Sequence, residues 1–217
     1  MDEINADAIY ESTPGDEREL ALAIRVCLMG TNSFPPLTFS PKGCDEEEFC
    51  REWKAWHDSL FADVLGPHLV RCHLAARANQ ITEVLEADLA LDSALAEVQR
   101  DRSAMAGAAL HTSMGGARHV RQLNRFREAV RNQQISGHFS TILSVGAALF
   151  HVPPMNLLHA CLFAEWRGAR LSTAAENTPR EATSISVFLN FARDEIRAVR
   201  KTLDLFLAGT EELVVCA

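Results

Sequence analysis

Histidine, cysteine and carboxylate spacings decide first whether a chain can hold a metal or run acid–base chemistry, and here they decide against a compact site. None of the eight histidines forms an H-x-x-x-H or H-E-x-x-H pair, and Glu165 has no E-x-x-H partner. His68 and His73 are five residues apart and His151 and His159 eight, so neither pair makes a tight facial chelate by itself. Cys72 and His73 are adjacent and would point in different directions on a helix. The six cysteines, Cys27, Cys44, Cys50, Cys72, Cys161 and Cys216, have irregular spacings without a C-x-x-C, which fits reduced thiols rather than a disulfide framework or a zinc knuckle. There is no G-x-S-x-G elbow, no phosphate-cradling glycine loop and no telling pair of carboxylates, and Gly115-Gly116 reads as a helix stop. The residues therefore nominate no catalytic group, no metal ligand and no cofactor.

The elements that would position any function are helical. Gly137 to Ala175 reads as two apolar helices joined at Val152-Pro153-Pro154, with small residues such as Gly146, Ala147 and Ala160 among large ones such as Phe150, Leu157 and Trp166. Such a hairpin cannot face water, so other helices must cover it. Neither half reaches the roughly 18 to 20 apolar residues of a membrane span, because His151 and two prolines cut the first and Glu165 with Arg167 closes the second.

Around that centre the pattern predicts further helices. One starts at Asp16 with Leu20, Ile24, Cys27 and Leu28 in phase, and stops at Gly30. The stretch TNSFPPLTFSPKGC that follows is a loop, either a plain connector or a partner-binding segment. Asp45 and Glu48 resemble a capping box, and Phe49, Trp53, Trp56, Leu60, Phe61 and Val64 run to a stop at Gly66. Pro67 suits the first turn of a next helix, which extends to about Asn79. Thr82 caps a long helix to Met114, its apolar positions including Val84, Leu85, Leu89, Leu91, Leu95, Val98, Met105, Ala109 and Leu110. The segment ARHVRQLNRFREAVRNQQ sets Val120, Leu123, Phe126 and Val130 against Arg118, Arg121, Arg125, Arg127 and Arg131, a solvated face or a docking surface for an acidic partner. Thr178-Pro179-Arg180-Glu181 opens a last helix through Ile185, Phe188, Leu189, Ala192, Ile196, Val199, Leu203 and Phe206 to Gly209.

No alternating strands appear, so the expected fold is all-α: a single-domain bundle of about eight helices over residues 15–208, with an acidic leader at 1–14 and a tail at 209–217. The length supports one substantial core. A formal charge of −8 and a pI near 5.5 argue against nucleic acid as the main partner. The acidic start has no apolar h-region, which points to the cytoplasm and away from a membrane.

A family resemblance extends this reading. Leu95 to Leu110 resembles the R-x-x-S-x-x-x-G-x-x-L stretch of the urease accessory protein F (UreF) family, with Arg100, Ser103, Gly107 and Leu110 in place. Ala75, Ala78 and Asp88 match the rhythm of its upstream helix pair, and His138, Ala147-Ala148-Leu149, Leu157, Leu162-Phe163, Trp166 and Ser172-Thr173-Ala174-Ala175 match its apolar hairpin. Phe39-Ser40 is similar to the end of its Pro-Gly-Gly-Phe-Ser loop, although Leu37-Thr38 replaces the glycine pair. Glu176 stands where an arginine is expected, and Arg180-Glu181-Ala182-Thr183 replaces a Gly-Gln signature.

The resemblance implies a UreF-like all-α adaptor without catalysis of its own, a homodimer that joins accessory proteins D (or H) and G, a GTPase, in delivering nickel to the urease apoprotein. On that basis Phe39 and Ser40 lie on a partner-facing loop, Arg100, Ser103 and Gly107 stabilise or line an interaction surface, and His138 caps or anchors the hairpin. Gly107 also fits plain close helix packing, and Ser103 a hydroxyl bonded to its own backbone. The rival is a helical enzyme or ligand binder, haem-oxygenase-like or thiaminase-II-like, with a pocket lined by Cys72, His73, His138 and Trp166.

Overall fold

The computed structural model describes residues 17–28, 37–42, 45–114, 121–132, 134–173, 183–192, 194–196 and 198–199. Among them the chain forms α1 (Glu17–Cys27), α2 (Glu46–Trp56), a π-helical stretch (His57–Leu65), α3 (Gly66–Arg77), α4 (Ile81–Ala94), α5 (Glu97–Ser113), α6 (Arg121–Arg131), α7 (Phe139–Leu149), α8 (Pro154–Thr173) and α9 (Ile185–Phe191). No described residue is in a strand, and no described helix is long and apolar enough to cross a membrane. The expected leader, the Thr178 helix start, the Gly115-Gly116 stop and the tail lie outside the described residues.

The centre is α7. Phe139 to Ala148 are all buried, and α3, α5, α8, α1 and α4 pack around it. The turn into α8 is made by His151 in the left-handed region (φ 55°), with Pro154 in the first turn, where a missing N–H costs nothing. Fifteen residues on from Pro154, at Ala169, the inner side of α8 is still buried; Glu165 does not close the apolar run, since Trp166, Gly168 and Ala169 beyond it are buried too.

Three expectations about the helices need correction. The helix does not stop at Gly66: Leu65 and Gly66 keep right-handed helical dihedrals, so α2, the π-helical stretch and α3 are continuous. The Gly66 N–H bonds to the Phe61 carbonyl five residues back, and this wider turn removes the clash a proline ring makes with the carbonyl four residues before it. Thr82 is not a cap, because α4 starts at Ile81 behind Gln80. The long helix expected from Thr82 to Met114 is two helices, broken at Leu95 and Ala96, both extended, with the Gln99 side chain accepting the Ala96 N–H at 3.2 Å. The break rephases the apolar positions: Val84, Leu91, Leu95 and Leu110 are buried, whereas Leu89, Val98 and Met105 are exposed.

Asp45 does cap α2, its carboxylate accepting the Glu48 N–H at 2.8 Å. Near the C-terminal side, α9 begins behind Ser184, whose hydroxyl accepts the Val187 N–H, and ends at Phe191; after a turn at Ala192 the described residues 194–196 and 198–199 are again helical, and the rest of the expected helix lies outside the described residues.

Candidate functional site

Two buried carboxyl groups each gather a separate stretch of chain onto the core. The first is Asp88, on the inner face of α4 and fully buried. Its Oδ2 accepts the Gly137 N–H at 2.9 Å, and its Oδ1 accepts the His138 N–H at 3.0 Å and the Thr141 hydroxyl at 2.6 Å. Gly137 (φ 71°) and His138 are the residues that lead into α7, so the carboxylate faces the end of a helix that carries unsatisfied N–H groups and partial positive charge.

Helix α5 closes the other side of the same turn. Ser103, buried, accepts the Phe139 N–H at 3.3 Å, so its hydroxyl serves another helix rather than its own backbone. Gly107 lies so close that an added Cβ would stand 2.1 Å from the Gly137 carbonyl oxygen, a backbone atom that cannot swing aside. One turn along α4, Asp92 accepts the Ser136 hydroxyl at 2.6 Å and stands 3.7 Å from Arg100 Nη1. The Ser136 hydroxyl above all holds the Asp92 carboxyl below its usual range; burial, the next largest influence, opposes it, and His138 and Arg100 add to the lowering. His138 Nε2 is 3.2 Å from Asp92 Oδ1, an ion-pair distance without hydrogen-bond alignment. His138 occupies the cap position of α7 but makes no side-chain cap; Asp88 meets that need instead.

A polar line runs outward from this clamp. Because Thr141 donates its only proton to Asp88, its bond with His68 Nε2 at 3.0 Å must run from the imidazole N–H to the threonine oxygen, which assigns the Nε2–H tautomer. Burial, with His138 and Arg71 adding to it, pushes the His68 pKa down to about 3, so the ring is neutral. Cys72 Sγ is 3.6 Å from the same nitrogen, and burial pushes its thiol well up. His68 also lines a groove of about 420 Å³ between the π-helical stretch, α3 and α4, together with Asp63, Pro67, Arg71, Ala87 and Leu91.

The second carboxyl is Glu165, midway along α8 and buried. Its Oε2 accepts the N–H of Thr38 at 2.9 Å and of Phe39 at 2.8 Å, and Oε1 is 2.7 Å from the Thr38 hydroxyl. Trp56 Nε1 donates to that hydroxyl at 3.1 Å, and Gln99 Nε2 to the Thr38 carbonyl at 3.1 Å. Burial raises the Glu165 pKa to about 7 in spite of these donors. Protonation at Oε1 is accommodated by reversing one bond, with Glu165 donating to Thr38 while Oε2 keeps both amides.

The predicted residues therefore separate. Arg100, Ser103, Gly107 and His138 converge on the entrance to α7, and Asp88 joins them at its centre. The ring of Phe39, expected on a partner-facing loop, is buried instead, 5.4, 5.2 and 5.5 Å from the rings of Phe49, Trp53 and Trp56; of that loop's pair only Ser40 is exposed. The four residues of the rival pocket have separate partners among the described residues: Cys72 touches His68, His73 bonds to the Val152 carbonyl, His138 faces Asp92, and Trp166 packs with Phe163, Phe188 and Phe191. None of the four lines the groove. Sequence reasoning missed Glu165; its one signal was a lone carboxylate inside an apolar helix, a position rarely tolerated without partners.

Comparison with protein families found that the UreF family model matches residues 46–172, more than half of the 217-residue chain. A search of curated proteins and a search of solved structures each found no match. The matched span begins with α2, includes the Asp88 clamp and ends in the last turn of α8, so the motif residues, the all-helical architecture and the family model agree: the chain belongs to the urease accessory protein F (UreF) family.

Proposed function

We propose that this chain is a cytoplasmic, non-catalytic adaptor in urease maturation, a homodimer that docks the GTPase accessory protein G and the scaffold accessory protein D or H, with nickel for the urease apoprotein as the cargo of the assembly. Support comes from family membership taken together with the direction of the polar side chains. Asp88, Ser103 and Glu165 bind other parts of the same chain instead of facing a reaction space. An adaptor acts through a surface of fixed shape, and such internal clamps reduce the ordering cost of binding. On this reading Ser40 and the half-exposed Arg100 remain available for partner contact, while Phe39, Ser103, Gly107 and His138 act by setting the shape.

The experiment is co-purification of the tagged chain with the GTPase and the D or H protein, paired with rescue of urease activation in cells lacking their own UreF. Co-purification and rescue are expected. Failure of both, together with steady turnover of a small substrate, would replace the adaptor with an enzyme.

A further inference from the structure

We propose that the outward face of α6 is a docking surface for an acidic segment of a protein partner. Over Arg121–Arg131 the helix carries four arginines and one glutamate, a charge of +3, in a chain whose total is −8. At 100° per residue all four arginines fall on the side opposite the buried Leu123, Phe126 and Ala129. Three of them, Arg121, Arg125 and Arg131, are exposed and have no ion-pair partner among the described residues. Arg51, Arg100 and Arg170 behave differently, since each meets a carboxylate of its own chain.

The fourth arginine holds the helix in place. Arg127 donates from Nε to His111 Nε2 at 2.8 Å and from Nη2 to the Met114 carbonyl at 3.3 Å, tying α6 to the end of α5. These three guanidinium groups, unpaired among the described residues, are thus presented by an anchored helix, and Arg121 and Arg125, one turn apart, suit paired recognition of carboxylates on a facing helix or loop. An acidic protein is favoured over nucleic acid. At physiological salt, screening extends over roughly 8 Å, so a small partner feels the local cationic face, whereas a long polyphosphate also meets the acidic remainder of the chain. This surface is separate from the Asp88 and Glu165 clamps and does not depend on the urease reading.

The test is fluorescence anisotropy with a labelled glutamate-rich helical peptide as the probe, at low and physiological salt, using the full chain. R121E/R125E/R131E is compared with R51E/K54E/R77E, which changes the net charge equally at exposed positions elsewhere. The α6 variant should bind about tenfold or more weakly than the native chain and the control variant less than about threefold. R121Q/R125Q/R131Q, which adds no repulsion, should also weaken binding and serves if charge reversal impairs folding. No binding by the native chain, equal losses in the two variant sets, or tighter binding of duplex DNA than of the peptide would overturn the proposal.

Discussion

Asp88 and Glu165 perform the same task with the same number of donors in different electrostatic settings. Each accepts two backbone N–H groups and faces one threonine hydroxyl, and each fixes a segment remote in sequence. Asp88 meets the positive end of α7, so the helix itself favours a negative charge there. Glu165 projects from the middle of α8 toward an irregular loop, and burial prevails over its donors, with a pKa near 7. The carboxyl at the helix entrance is thus set among the donors of a helix end, whereas the one set against a loop changes its protonation near pH 7 while its two amide bonds persist.

The largest effect should come from removing the first clamp. Asp88→Ala leaves two buried N–H groups and the Thr141 hydroxyl without their acceptor, and we expect a loss of about 3 to 5 kcal/mol in urea unfolding. A loss below about 1 kcal/mol would mean that the α7 entrance is held by something other than this carboxylate.

Glu165→Gln should have a smaller effect that varies with pH. With a folded-state pKa near 7 and an ordinary value of 4.5, the folded chain binds the extra proton between those values. Stability from this group is therefore complete below about pH 4.5 and declines as pH rises to 7, by at most about 1.4 kcal/mol per unit. Burial of His68, His73 and His159, whose pKa values fall to about 3, 4 and 4, acts in the opposite sense, since they must charge on unfolding in acid. The informative quantity is the difference between the native chain and Glu165→Gln, measured by unfolding at matched pH from 4.5 to 8. The native advantage should shrink as pH rises, and growth of that advantage would contradict the account.

Much of this was legible in the sequence and part was not, for definable reasons. The hairpin of α7 and α8 announced itself because small and large apolar residues alternate around a double proline, and Asp45 because its capping pattern is local. Continuity through Gly66-Pro67 was hidden because a π-helical turn has no simple signature and reverses the usual meaning of proline. The break at Leu95-Ala96 contains neither glycine nor proline; it is imposed by packing of α4 on α3 and of α5 on α7. Of the site, the spacing of Arg100, Ser103 and Gly107 could be seen, but its meaning lay in Gly137, some thirty residues on. The burial of Phe39 was not legible because the resemblance marks only its loop, while the partners that draw it in, Glu165, Trp56 and Gln99 on Thr38 and the rings of Phe49 and Trp53, come from other helices.

The central claim is that the UreF-like motif of this chain locks the entrance to α7. Native-state hydrogen exchange at the Gly137 and His138 amides tests it most directly, since both hydrogen-bond to a buried carboxylate within a loop-to-helix junction. Protection close to that of the α7 interior is the predicted result. Exchange as rapid as that of an exposed connecting segment would contradict it.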